Sequence, residues 1–586
     1  MPSNGATGKR KAAAAPFAAS KKKATEKNGA PTPVDQNDPE EYAVIQRAFY
    51  PPEMTNERAI RYKEGSLTRP IEELSAAEKE TKQQREAVPV KDAVVHWFKW
   101  DLRLQDNKAL HVAAKKAKEA GVPLIALYIV SPQDFEAHLT APVRVDFALR
   151  SLEILRADLA KLDVPLHCET VAKRKAVPAR IVALAEEWGA SHIYANVEYE
   201  VDELRREAAL TRLCLEKGIA FQALPDTCVV DPGELSSQQG NQYAVYTPWF
   251  RAWVAFLHKH PTWLDLYEPP AKNAASAREK FSHLFASKVP EAPEGHQLSN
   301  EETKRFHSLW PAGEHEAHTR LAKFLKERAG KYKDARNLPA VAGTAVLSPH
   351  FATGTLSART AIRRARDGNS HKLDGGSAGF ITWISEVAWR DFYKHVLAHW
   401  PYVCMSKPFK PEYSSIEWEY NMEHFRAWCE GKTGFPIVDA AMRQLNHMGW
   451  MHNRCRMIVA SFLAKDLLLD WRMGERYFME HLIDGDFASN NGGWGFSAST
   501  GVDPQPYFRI FNPLLQSEKF DPDGEYIRKW VPELKDVKGK AIHDPYGRGA
   551  SSTAKKTAYP MPIVDHKACR DRALARYKEG IGRTTA

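Results

Sequence analysis

The chain changes character part-way along, and that change limits the folds open to it. Between residues 93 and 224, short apolar runs alternate with amphipathic helical patterns. The runs 93–98, 123–130, 164–169, 192–196 and 220–224 read as buried strands, and 107–119, 143–162, 178–188 and 202–217 read as helices. Alternation of this kind predicts a parallel, Rossmann-like sheet covered on both faces, an α/β domain over 91–225. No GxGxxG follows the first strand, so a dinucleotide fingerprint is absent. From 315 to 540 the apolar spacing is helical: 321–332, 357–365, 379–399, 423–430 and 436–447. That half predicts an all-α domain. Between the two, 226–314 is rich in Pro, Ser, Gln and Gly and reads as a long surface linker, with Tyr246–Phe250 an island packed on one domain. Residues 1–90 read as a disordered basic extension with one or two short helices late in it, and 541–586 as a tail.

A chain of 586 residues exceeds one core, which agrees with two domains. No apolar run approaches the roughly 20 residues of a membrane span. The formal charge of +9 suits an anionic partner such as DNA, although part of it sits in the N-terminal extension. Seven scattered cysteines form no CxxC pair, so no metal site or disulfide framework is expected, and a reducing compartment fits. The clusters Lys9-Arg10-Lys11 and Lys21-Lys22-Lys23 read as a bipartite nuclear signal. A mitochondrial presequence is the alternative, because no acid precedes Glu26. A plain solvated tail is the third reading.

The most informative stretch is 447–496, HMGWMHNRCRMIVASFLAKDLLLDWRMGERYFMEHLIDGDFASNNGGWGF. Acids, amides and tryptophans interleave with an apolar helical pattern, which is unusual for a plain core. Other blocks accompany it: TAVLSPH at 344–350, EVAWRDFY at 386–393 and GKTGFPIVDA at 431–440.

Together these blocks resemble the photolyase/cryptochrome family, from about residue 92 to about 535. Asn453-Arg454 in MHNRCRM is similar to the class I members that repair cyclobutane pyrimidine dimers, where other branches carry histidines. The resemblance implies an α/β antenna domain, a linker and a helical domain binding FAD, with dimer-containing DNA as substrate and a monomeric state. It implies that FAD, reduced and excited by blue light, donates an electron to a dimer flipped out of the duplex.

The resemblance also assigns residues. Thr344, Ala345, Val346, Leu347 and Ser348 form the flavin-phosphate loop, with Ala345 where the family has Ser; a simple helix cap is the other reading. Tyr332, Trp383, Arg390 and Trp450 line the flavin. Asp484, Gly485, Asp486 and Asn490 face its ring, or Asp484 and Asp486 form a solvated helix end. An amide at Asn490 can bond a ring N–H without adding charge. Trp494, Trp471 and Trp418 match an electron-transfer chain leading in from the surface, where each alone would be read as core. Glu386 and Trp389 would meet the dimer, with Asn453 and Met457 completing that pocket. Phe496 stands where relatives have a second substrate-facing Trp. Arg336, Arg454 and Arg509 are candidate phosphate contacts, with Arg390 and Tyr393 on the same DNA side. Asp202, Glu203 and Cys404 match contacts to a methenyltetrahydrofolate antenna; a deazaflavin or no antenna stays open, because Asp202 and Met405 depart from the pattern. A signalling photoreceptor is the competing function.

Overall fold

In a computed structural model, residues 55–584 are described. Strands β1 (Ala93–Phe98), β2 (Leu124–Val130), β3 (Leu166–Thr170), β4 (Ala190–Asn196) and β5 (Ala220–Leu224) form one sheet of order β3-β2-β1-β4-β5. All pairs are parallel, so each connection crosses over, as the alternation predicts. The winding reverses between β1 and β4, which opens a crevice at their C-terminal ends. Local chemistry sets the helix ends. Asn107 caps Lys108–Ala120 by accepting from the Leu110 amide, and Gly121 stops that helix at φ 68°.

The second half is helical. The only bridge outside the sheet among the described residues joins Glu419 and Leu469. Ala378–His399 is the long central helix, and three later helices pack around it or each other: Asn453–Ser461, Trp471–His481 and Phe487–Ala498. Asn453–Ser461 runs into one π-helical turn, Phe462–Asp466. The two halves are locked by a buried charge cluster. Arg359 spans Asp106 and Asp226 at 2.6 Å each, and Arg103 pairs with Asp226.

Three boundary expectations need correction. Within 1–90, residues 56–87 form three helices, where one or two short ones are expected. Leu74 and Ala77 of Pro70–Glu80 are buried, and Glu78 accepts from the Ala223 amide, covering the β5 edge. The 226–314 linker contains the helix Tyr246–Lys259, because Trp249, Trp253 and Leu257 recur at helical spacing and are buried. The 541–586 tail ends in the helix His566–Thr584, whose Tyr577 is buried against Trp418. In the first and last cases charged residues mask a sparse apolar stripe. The basic clusters at 9–11 and 21–23 lie outside the described residues.

Candidate functional site

The helical half encloses a cavity of about 450 Å³. Four segments wall it: the 344–348 loop, the central helix, the start of Asn453–Ser461, and the 484–496 turn and helix. Thr344, Ala345, Val346, Leu347 and Ser348 all line it. Arg328 holds that loop by donating to the carbonyls of Ala342 and Thr344 at 3.1 and 3.2 Å. Val346 takes a left-handed φ of 52°. Trp450 donates its indole N–H to Ser348 Oγ at 3.2 Å, which leaves the serine O–H to donate elsewhere. Tyr332, Trp383 and Arg390 line the same space.

The far wall carries the acids and the amide. Arg456 Nη2 donates to both oxygens of Asp484, at 3.0 and 2.8 Å. Asp486 caps Phe487–Ala498 by accepting from the Ser489 amide at 2.9 Å, and pairs with Lys394 at 3.1 Å. Burial opposes ionisation of Asp486, but Lys394 and Arg390 outweigh it and hold the carboxyl well below its usual range. Asp484 and Asp486 are therefore not a solvated helix end. Asn490 Nδ2 donates to the Glu475 carbonyl at 2.9 Å, so its Oδ1 is the atom left to face the cavity. Gly485 does not line the cavity; its carbonyl accepts from Arg144 at 2.6 Å.

Glu386, Trp389, Asn453, Met457 and Phe496 line the other end. Trp389 stacks on Tyr246 at 3.6 Å and 9°, and the Tyr246 hydroxyl donates to the Ser385 carbonyl at 2.7 Å. Tyr393 lies so close to Gly492 that a Cβ there would come within 2.2 Å of its ring. Glu386 pairs with Arg336 at 2.5 Å. Burial raises the Glu386 pKa in spite of that guanidinium. Arg454 stands outside the cavity, donating to Asn337 Oδ1 at 2.9 Å over the Phe520 ring. Arg509 is exposed and also apart from it.

The three tryptophans border neighbouring spaces in the helical half. Trp494 lines the cavity, with Gly474 leaving room beneath its indole. Trp471 borders a small space with Gly492 and Gly495 on one side and another with Trp418 on the other. Trp418, the member of the chain next to Trp471, is largely covered. It is 9% exposed, and Tyr577 packs edge-on at 5.8 Å.

A second cavity of about 120 Å³ lies at the C-terminal ends of β1 and β2, separated from the first by Phe351, Ala352, Arg390 and Asp486. Glu203 lines it; Asp202 pairs with Arg174 at 3.0 Å; the Cys404 thiol meets the Val201 amide. Asp134, His138 and Glu203 cluster within 4.8 Å of one another, as metal ligands would. Arg174 pairs with both carboxylates, so guanidinium charge already balances them. Burial acts to lower the His138 pKa, yet Glu203 pushes it up to about 9.

Comparison with known proteins agrees with this geometry. Residues 94–270 match the model of DNA photolyase, and 383–579 match that of the FAD binding domain of DNA photolyase. A deoxyribodipyrimidine photo-lyase of Neurospora crassa is 63% identical over 560 residues, covering 93% of this chain and 91% of the relative. The chain belongs to the DNA photolyase family. Among solved structures, a bacterial class III photolyase from Agrobacterium tumefaciens aligns with a TM-score of 0.73 at 33% identity, covering 84% of this chain and 98% of the other. A Synechocystis cryptochrome aligns with a TM-score of 0.71 at 27% identity, covering 83% and 99%.

The photolyase cavity fits FAD on its own chemistry. It offers the Thr344 and Ser348 hydroxyls, a buried Arg390 Nε without a partner, and the free Asn490 carbonyl between aromatic walls. Sequence reasoning missed Arg456, Lys394 and Tyr246. Arg456 sits inside the MHNRCRM block, two residues past Arg454, and was legible there. Lys394 and Tyr246 gain their roles only from partners far along the chain.

Proposed function

We propose that this photolyase repairs cyclobutane pyrimidine dimers in DNA, acting as a light-driven carbon–carbon lyase, with flavin and dimer sharing the larger cavity. The observation that carries this is the placement of Glu386 and Trp389 in the same space as Asn490 and Ser348. Bound FAD, reduced and excited by blue light, supplies the electron that opens the cyclobutane ring.

The chain's residues do the rest. Thr344 and Ser348 would hold the pyrophosphate with their hydroxyls, and Arg390 would add positive charge to the same cavity. Asn490 Oδ1, with its Nδ2 engaged by the Glu475 carbonyl, would accept from a reduced ring's N–H without adding a charge. Glu386, whose pKa burial raises, is the carboxyl placed to hydrogen-bond a dimer carbonyl once it carries a proton. Trp389, stiffened by Tyr246, gives the dimer a flat wall, and Asn453, Met457 and Phe496 close the pocket. Arg336, Arg454 and Arg509 hold the kinked backbone. Trp418, Trp471 and Trp494 would carry electrons inward toward a bound flavin.

Folate is the proposed antenna, supported by Asp202, Glu203 and Cys404 meeting at one helix start. The near-UV absorption of the purified protein distinguishes folate, deazaflavin and no antenna. The two basic clusters support a nuclear address, with the mitochondrion as the alternative, and a fluorescent fusion separates them. The protein is proposed to act as a monomer, read by sedimentation. A signalling role would leave the Glu386–Trp389 pocket without a task. Glu386→Ala and Trp389→Ala proteins loaded with FAD should keep the flavin spectrum and lose repair. Undiminished repair in both would remove the dimer site from this place.

A further inference from the structure

Lys465 has no part in the chemistry above, yet its surroundings are unusual for a lysine. It lies on the π-helical turn Phe462–Asp466, directly after the helix that carries Asn453 and Met457. Such a turn shifts the side-chain phase by one residue and is frequent at functional sites. The shift here points Lys465 inward, where it is fully buried. Its ammonium donates to Ser499 Oγ at 2.8 Å, to the Arg509 carbonyl at 3.2 Å and to the Tyr507 carbonyl at 3.4 Å. All three acceptors are neutral, and all belong to one segment.

That segment touches the cavity wall at two places, which we take as its DNA-facing mouth. Asp503 accepts from the Tyr246 amide at 3.0 Å, and Tyr246 backs Trp389. Gln505 donates its amide to the Phe496 carbonyl at 3.1 Å. Its outer face presents Phe508, 62% exposed, beside exposed Arg509. The segment contains no helix or strand. Its start is tied to Gly495 and Phe409 through Thr500 and Gly501, and beyond Val502 the bonds to Tyr246, Phe496 and Lys465 and the Arg509 amide to the Pro506 carbonyl hold it.

We propose that Lys465 is a positioning residue for DNA binding, its ammonium bracing residues 499–509 so that Phe508 and Arg509 are held toward the duplex. This rests on the DNA-binding reading of the cavity mouth. An ammonium has three N–H donors for its three oxygens, whereas a neutral amine has two and must release one. Burial lowers the Lys465 pKa to about 7, so the brace loosens near neutrality. The titratable and charged groups around it are Asp466 on its own turn, Tyr507 in the segment, and His566, Arg572 and Tyr577 on the C-terminal helix. Asp466 is engaged by His566, and the Tyr577 ring lies 5.7 Å from the ammonium.

The test measures the Kd of FAD-loaded protein for a dimer-containing duplex at fixed salt, from about pH 6 to about pH 9. Wild-type affinity should fall about tenfold across that range. Lys465→Met should be weak and flat with pH, Lys465→Arg tight and flat, both with unchanged flavin absorption. A Met variant that matches the wild type at both ends, or keeps its slope, overturns the proposal. Arg336→Ala is run alongside. Weakening there with none in Lys465→Met overturns this inference alone, and no change in either overturns the mouth reading as well. If Lys465→Met does not fold, amide exchange of wild-type 499–509 is compared with that of Phe487–Ala498. Selective loss of protection at high pH supports the brace, and parallel behaviour overturns it.

Discussion

Glu386→Gln should tighten binding to undamaged DNA, although it alters a residue assigned to the dimer. In the free protein Arg336 is held on the Glu386 carboxylate at 2.5 Å. To reach a phosphate, the guanidinium must leave that carboxylate. The two side chains are 28% and 27% exposed, so the pair belongs to the partly solvated class worth about 0.2–1 kcal/mol. Removing the carboxylate charge removes that cost. At about 1.4 kcal/mol per tenfold, the gain in affinity is at most about fivefold. One further phosphate contact should also steepen the salt dependence, by about 0.9 in the log–log slope. The assay is fluorescence anisotropy with an undamaged duplex across a salt series. Protonation of Glu386 has the same effect, and burial raises its pKa, so wild-type affinity should approach that of the variant in mild acid. The variant itself should show no such trend. Unchanged or weaker binding with an unchanged slope would refute the reasoning, because Arg336 would then not be exchanged between carboxylate and phosphate.

Trp471→Phe should block photoreduction of the oxidised flavin while repair by pre-reduced protein survives; transient absorption reads the first and dimer loss the second. Arg359→Ala removes a buried cation from Asp106 and Asp226, a loss of about 3–5 kcal/mol for a broken buried pair, seen as a lower Tm; an unchanged Tm contradicts the interdomain lock. His138 has a folded pKa pushed up from 6.5 to about 9. Its contribution is therefore complete below about pH 6.5 and lost as pH rises through about 9, so wild-type Tm should fall over that window more than that of His138→Asn.

The α/β half was legible because both of its periods are clean. Buried strands with continuous apolar runs and helices closed by Asn107 or Gly121 leave little freedom. The helical half was legible for the same reason, and most flavin-side residues sit in quoted blocks that line the cavity. What stayed hidden depends on distant partners. Nothing near Glu386 announces that Arg336 holds it, and nothing near Trp389 announces Tyr246. Nothing near Trp418 announces Tyr577, which covers it from a helix whose charges resemble a tail. The π-helical turn is invisible as well, since Phe462–Asp466 carries an ordinary helical pattern. Gly485 was placed in the site by its neighbours, yet its backbone faces Arg144 instead.

The most direct measurement follows an oligonucleotide with one defined thymine dimer, mixed with reduced protein and compared in blue light and in the dark. Intact thymines should return only in light and only with flavin bound. Dimers that persist in light, with flavin present and reduced, would contradict the assignment of the cavity to repair.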